Sequence, residues 1–463
     1  MRSVALAACA VVLSACPTPP PPIPPNLAGP TWQLSVLDGG ALLYARDGLP
    51  LVTLPPEAFQ VGTVRELDQE ASYDPYWLVV NDGVFTPMRP DGFRWRVPTG
   101  GAAAMDGNEL VLTLAFEGSV TATVRAHIAT DGHLVLRLLP SSSGNPIAYL
   151  RLRAGVDAEE AFYGLGEWFD AANHRGHLRP LQLEADLNTE SASTENHVAV
   201  PYLVGSRGWG LFVETRRHGV VDVAKSEPTT VDWMFGTAEA SPDGLIVHLF
   251  SAPEPLDVPL QYYRVTGFPR APSDWATGPW LWRDESRDQA EVEEDVRTLR
   301  ALDLPTSAIW IDRPYASDVN TFDFDPAKYP DAGGLVQAIH GAGLRLALWH
   351  TPYLAPGAQP MRAEAEDAGL FPLETGAQLN PWSAPLDFTK PEAVTFWRNR
   401  LTRYTTLGVD GFKLDFAEDV VAGLSGRRGG WTFANGETDR TMTDGYPRRY
   451  HDVYRGVLAN NDG

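Results

Sequence analysis

Gly408-Val409-Asp410-Gly411-Phe412-Lys413-Leu414-Asp415-Phe416-Ala417-Glu418 is the stretch on which the fold turns. A short apolar run follows a helix-stopping glycine and ends on a carboxylate. A buried strand that opens into a loop at its carboxyl end has this signature. Before it, Thr389-x-x-Glu392 reads as a capping box, and Val394, Trp397, Leu401 and Tyr404 fall on one helical face. The same unit recurs upstream. Ser307–Ile311 is an apolar strand ending at Asp312, and Leu344–Trp349 is another, followed by His350. Ser286-x-x-Gln289 opens a helical stripe of Val292, Val296, Leu299 and Leu302; a second helix surrounds Leu335–Ile339 and stops at Gly341 and Gly343. With Gly278–Trp282 as the first strand and a last helix from about Pro447 to Leu458, strand and helix alternate four times. That alternation predicts a parallel α/β unit. The stretch from Gly278 to Gly463 is well short of the about 250 residues that a (β/α)8 TIM barrel takes. The expectation is therefore about the first half of such a barrel.

From Thr31 to about Phe268 the period is two. Val120, Ala122, Val124, Ala126 and Ile128 alternate with Thr121, Thr123, Arg125 and His127. Leu110–Phe116, Leu134–Leu139 and Ala148–Leu152 are similar runs. The pairs Asp38-Gly39, Asp82-Gly83 and Asp131-Gly132 supply turns between strands. This predicts a large β-sandwich closing near Tyr262–Phe268.

The start of the chain reads as an export signal. A positive Met1-Arg2 precedes an apolar run from Val4 to Leu13, and Leu13-Ser14-Ala15-Cys16 reads as a lipobox, with Cys16 as the lipid anchor. Pro17 to Pro25 holds seven prolines in nine residues, a stiff tether. The expected organisation is a leader over 1–16, a proline-rich tether over 17–30, a β-sandwich over 31–270 and half a barrel over 271–463. Cys9 and Cys16 are the only cysteines, so processing leaves no disulfide, thiol nucleophile or thiolate metal site. Lys plus Arg is 37 against 59 for Asp plus Glu, a formal charge of −22. So acidic a chain argues against nucleic acid and polybasic membrane binding, and fits an exported protein acting on neutral ligands.

Functional groups of parallel α/β folds collect at the carboxyl ends of strands. Here those ends carry Asp312, then Trp349 and His350, then Lys413 and Asp415. A lysine two residues before a carboxylate lies on the same strand face and favours its ionised form. An ionised, oriented carboxylate is what attacks an anomeric carbon. Asp312 is suited to accept hydrogen bonds from sugar hydroxyls, Trp349 to stack on a pyranose, and His350 to bond a hydroxyl. Each also has a structural reading: an ion pair at the rim, a loop cap, core aromatics, a buried histidine.

Several segments resemble glycoside hydrolase family 31. Phe162-Tyr163-Gly164-Leu165-Gly166-Glu167 resembles the Tyr-Gly-Leu-Gly-Glu run of that family's N-terminal β-sandwich. Pro201-Tyr202 with Ser206-Arg207-Gly208-Trp209-Gly210 resembles a second segment of the same domain. Ile309–Asp312, Asp323-Phe324-Asp325-Pro326 and Leu348-Trp349 with Pro352 resemble the second and third barrel strands and the loop between them. Gly411–Glu418 is similar to the nucleophile strand, in the Lys-x-Asp-Phe-x-Glu form of the α-xylosidase-like branch. The resemblance implies Asp415 as nucleophile. It also implies Lys413, Asp312, Trp349 and Trp282 as substrate-binding residues, with a sandwich loop overhanging the pocket, for which Asp186, Glu195 and Asn196 are the candidates. The family's acid/base aspartate lies on a later strand. Asp419, Glu437, Asp439 and Asp444 do not match its motif, and Glu418 is too close to Asp415, so the acid/base residue is expected outside this chain.

The expected activity is that of a retaining exo-α-glycosidase acting on an α-glycoside or oligosaccharide, with no metal and no cofactor, held to the membrane through its lipid anchor alone. The alternative is a non-catalytic carbohydrate-binding lipoprotein, and a glucan lyase on the same scaffold is a third reading. Arg313-Pro314-Tyr315 follows Asp312 where a sulfoquinovosidase would show a Gln-Asp-Trp run. α-Glucose, α-xylose and α-galactose all remain open.

Overall fold

The computed structural model describes residues 25–65, 93–181, 196, 198–237, 240–376, 378, 382–421 and 430–458. The leader with Cys16, the tether as far as residue 24, Asp82-Gly83, Asp186 and Glu195 lie outside the described residues. Among the described residues no helix is long and apolar enough to cross a membrane.

Two antiparallel sheets form the first part. In the larger, Ile147–Gly155 is central, flanked by Thr230–Gly236 and Phe59–Thr63. The other sheet runs from Phe162–Gly166 through Ala199–Gly205, Trp209–Glu214, Leu245–Ser251, Leu134–Ser142, Val120–Ile128 and Glu109–Phe116 to Pro98–Asp106 at its edge. Val120, Ala122, Val124 and Ala126 are buried and pair with Ser142, Pro140, Leu138 and Leu136, so the alternation read from sequence is the inward face of a strand. Leu34, Leu152, Trp209, Leu211 and Trp233 fill the space between the sheets. The sandwich begins earlier than expected. Asn26–Ala28 is already a strand, paired with Gln33–Ser35. Its far boundary is helical, because Tyr262 lies within the helix Val258–Thr266 and stacks on Tyr202 at 4.2 Å.

The second part is a four-stranded parallel sheet in sequence order. Its strands are β1 (Trp280–Arg283), β2 (Ala308–Ile311), β3 (Arg345–His350) and β4 (Gly411–Leu414). The longer helices between them are α1 (Gln289–Ala301), α2 (Ala332–Gly341) and α3 (Pro391–Leu407), a short helix (Met361–Asp367) also lies between β3 and α3, and α4 (Asp439–Leu458) follows β4. The helix caps differ from expectation. Asp288, not Ser286, accepts from the Glu291 amide at 3.0 Å to start α1. Pro391 opens α3 with no side-chain cap, while the Thr389 hydroxyl donates to Asp387. Pro at the first helical position loses only an N–H that had no partner there. Helix α4 starts eight residues before Pro447, which sits inside it. Gly408 does end α3, in the left-handed conformation at φ 108°.

Asp410 ties the sheet to its helices. One carboxylate oxygen accepts from the Leu346 amide at 2.9 Å and from His340 Nε2 at 2.8 Å, and the other from Arg345 at 3.0 Å. Strand β4 is thereby registered against β3 just before Lys413 and Asp415.

Candidate active site

The four strands are parallel and in register, so alternate residues form rows on each face. One row packs against the helices: Ile309, Ile311, Leu346, Leu348 and His350, with Phe412 and Leu414. The other row carries Trp282, Trp310, Asp312, Trp349, Lys413 and Asp415. Trp282 pairs with Trp310, and their rings stack at 5.2 Å. Lys413 pairs with Trp349, and its ammonium lies 4.7 Å from the centroid of the Trp310 ring.

Asp415 sits one residue beyond β4, its amide donating to His350 O at 2.9 Å. Its Oδ2 accepts from Lys413 Nζ at 2.6 Å and from Trp349 Nε1 at 2.8 Å. Its Oδ1 accepts no hydrogen bond among the described residues. Two donors thus fix one oxygen and leave the other without a hydrogen bond among the described residues. Phe416 follows at φ 58°, a conformation that costs a non-glycine residue about 1–3 kcal/mol. Its ring packs at 5.2 Å from Trp382, which closes the site on the loop side.

Asp312 lies across Lys413, with Oδ2 at 3.7 Å from Nζ. Trp282 Nε1 donates to the same oxygen at 3.1 Å, and the Arg313 amide donates to Oδ1 at 2.8 Å. Burial pushes the Asp312 carboxyl above its usual range; the Arg313 amide, Lys413 and Trp282 oppose that shift, and Asp415 adds to it. One ammonium therefore bridges two unlike carboxyl groups, one buried and one partly open to solvent.

Five of the residues read from sequence converge here: Asp415, Asp312, Lys413, Trp349 and Trp282. His350 does not. It is fully buried on the opposite face, its Nδ1 bonded to the Tyr454 hydroxyl at 2.8 Å among Phe322, Tyr404 and Phe412. The physical reason is strand alternation: neighbours Trp349 and His350 must face opposite sides. Asn196 is also structural. Its Nδ2 donates to Leu165 O at 3.2 Å, and its Oδ1 accepts from the Val198 amide at 3.2 Å. Glu437 pairs with Arg449 at 2.7 Å and with Arg216, and Asp439 with Arg440 at 3.4 Å, so both serve as structural ion pairs. Trp310, Trp382 and Arg313 were not singled out from the sequence. The two-residue spacing of Trp310 from Asp312 was the available signal; Trp382 comes from a loop and had none.

Burial has a pH consequence. It depresses the His350 pKa to about 3, and burial together with Arg179 depresses His174 to about 4. Each is neutral in the fold and protonates more readily in the unfolded chain. Their contribution is fully present above pH 6.5 and is lost as pH falls toward 3 to 4, at up to about 1.4 kcal/mol per pH unit for each group. His350→Phe should flatten this loss. The Tyr454 hydroxyl keeps Trp397 Nε1 at 2.9 Å and Tyr450 at 3.2 Å as partners. Denaturant titrations at pH 7 and pH 4.5, followed by tryptophan fluorescence, would show it. Equal losses in the two proteins would refute the assignment.

Residues 269–462 match the family model described as the glycosyl hydrolases family 31 TIM-barrel domain. The α-xylosidase XylQ of Lactiplantibacillus pentosus is 26% identical over 335 residues, covering 69% of this chain and 42% of that protein. An isomaltosyltransferase of Sporosarcina globispora is 25% identical, over 64% of this chain and 30% of its own length. Among solved structures, the cycloalternan-forming enzyme of Listeria monocytogenes superposes with a TM-score of 0.62 at 17% identity, over 93% of this chain and 46% of that one. The family-31 dextranase of Flavobacterium johnsoniae gives 0.61 at 14% identity, over 95% and 53%. The chain thus spans about half or less of the length of these relatives. The two stacked sheets and the parallel sheet that follows them agree with these neighbours in fold, and residues 269–462 form a glycosyl hydrolases family 31 TIM-barrel domain in part.

Proposed function

We propose that this chain carries the nucleophile and most of the reactive sugar subsite of a retaining exo-α-glycosidase. The carrying observation is the asymmetric environment of Asp415, with Oδ2 held by Lys413 and Trp349 and Oδ1 free. In the first step Oδ1 bonds to the anomeric carbon while the bond from that carbon to the leaving oxygen breaks. A carboxylic acid about 5–5.5 Å from Asp415 delivers the proton to the departing oxygen. In the second step the same group, now a base, takes a proton from water as the water oxygen bonds to the anomeric carbon and Asp415 is released. We assign that acid to a carboxyl group beyond the four strands, since Glu437 and Asp439 are committed to arginines. Asp312 grips the sugar hydroxyls, and Trp282 and Lys413 keep it oriented.

An activated fluoro-glycoside tests this directly, because its leaving group departs without an acid. Mass spectrometry should place a glycosyl adduct on the peptide holding Gly411–Glu418. An adduct elsewhere, or none with any of the α-gluco, α-xylo and α-galacto reagents, would reject the proposal.

We further propose that the protein is exported and anchored through Cys16. Cys16→Ser should release it from the membrane fraction or leave its leader uncleaved. Unchanged partitioning in a detergent phase separation would reject the anchor.

A further inference from the structure

The first strand of the sandwich fixes the direction in which the preceding chain leaves. Asn26 pairs with Ser35, Leu27 with Leu34 and Ala28 with Gln33, so this strand runs antiparallel to Trp32–Val36. Pro25 continues the pairing, its carbonyl accepting from the Val36 amide at 3.2 Å. The line of that pairing leads backward past Leu37 to the turn at Gly39-Gly40, which the Gly40 amide closes on Leu37 O at 3.0 Å. Both glycines line an open groove at the edge of the sandwich.

The groove holds about 370 Å³, inside the roughly 300–1,000 Å³ of ligand clefts. Phe59, Leu112 and Leu114 give it an apolar lining, together with Pro55-Pro56 and the stretch Pro98–Ala103. Its origin is compositional. Gly100, Gly101, Ala102 and Ala103 put almost no side chain into the space beside them. Pro98–Asp106 is also the last strand of its sheet among the described residues, and an edge strand turns unpaired N–H donors outward. From Pro98 to Met105 it carries none of the charges that commonly blunt such an edge. A second copy would bring only the same glycines and alanines to this edge and leave the groove unfilled.

A polyproline segment has the complementary chemistry. Its rings are apolar, its carbonyls accept, it has no N–H donors to leave unpaired, and its extended form is set before binding. Residues 17–24 read Pro-Thr-Pro-Pro-Pro-Pro-Ile-Pro. At about 3.1 Å per residue they reach about 25 Å as a polyproline II helix. Pro98–Ala103 measures roughly 20 Å as a strand. Attachment through Pro25 keeps the segment near the groove at an effective concentration in the millimolar range, so even modest affinity suffices. We propose that Pro17–Pro24 docks in this groove as a strap along the sandwich. The tether then holds the sandwich at a set distance from whatever Cys16 is attached to, instead of acting as a free spacer. The proposal is independent of the glycosidase reading of Asp415.

Deuterium uptake by the full 463-residue chain tests it. A segment whose Kd is a tenth of its effective concentration slows exchange of the amides it covers about tenfold. The amides of Thr99–Ala103 should therefore exchange faster by about that factor in a variant with Pro19→Gly, Pro20→Ser, Pro21→Gly and Pro22→Ser, which keeps the tether's length. A free peptide of residues 17–25 at millimolar concentration should slow them again, and the remote strand Trp209–Glu214 should be unchanged throughout. A photoreactive benzoylphenylalanine in place of Ile23 should crosslink to peptides spanning Gly39–Leu42 or Pro98–Ala103. Equal uptake in parent and variant, or adducts confined to other surfaces, would overturn the strap. Protection that rises with protein concentration would assign the edge to a second copy and overturn it as well.

Discussion

Asp415→Asn should abolish covalent labelling by an activated fluoro-glycoside and, in any protein completing the site, lower turnover by several orders of magnitude. The carboxamide keeps the shape, and its oxygen can still accept from Lys413 Nζ and Trp349 Nε1, which stand 2.6 and 2.8 Å from Oδ2. What it loses is the negative charge that, in the proposed mechanism, attacks the anomeric carbon and stabilises the positive charge developing there. Sugar binding should survive, because Asp312, Trp282 and Lys413 are untouched. Asp312→Asn should behave differently. Its single carboxamide oxygen can accept from only one of the two donors, Trp282 Nε1 on Oδ2 or the Arg313 amide on Oδ1, and the grip on sugar hydroxyls weakens, so labelling should be slowed and remain detectable. Intact mass measured over time on the parent and both variants checks this. Labelling of Asp415→Asn at the parent's rate would remove Asp415 from the reaction.

Gly166→Ala should be among the most damaging single substitutions in the sandwich, costing more than about 4 kcal/mol or preventing soluble expression. Gly166 sits at φ 103°, and a Cβ there would lie 1.8 Å from Val198 O and 2.9 Å from Asn196 Oδ1. The first clash is with backbone, so no rotamer change relieves it, and the backbone angle is itself one that alanine resists. Asn196 multiplies the damage, since its carboxamide links Leu165 O to the Val198 amide. Gly100→Ala is the control, because a Cβ at Gly100 meets nothing within 4 Å. Thermal unfolding should separate the two variants widely. Coincident midpoints would mean that the loop moves aside at little cost.

These two sites show what each level of description contributed. The chain by itself determined the elements. Period two along Val120–Ile128 can bury one face only as a strand, and the apolar run Gly411–Leu414 between a glycine stop and a carboxylate can only be a buried strand opening at its end. It also determined that Lys413 and Asp415 share a face, because that follows from strand geometry alone. Pairing between strands lay beyond it. Trp349 stands 66 positions from Asp415 in sequence, and its bond to Oδ2 exists only because β3 and β4 lie side by side in one register. His350 shows the same limit from the other side: its residue type suited a sugar site, but the pleat turned it into the core. Trp382 reaches Arg313 and Phe416 from a loop that no periodicity marks. Hydrophobic period and turn chemistry are local and can be read along a chain. Which oxygen of a carboxylate is held and which is free depends on donors from other strands, and only the tertiary structure brings those together.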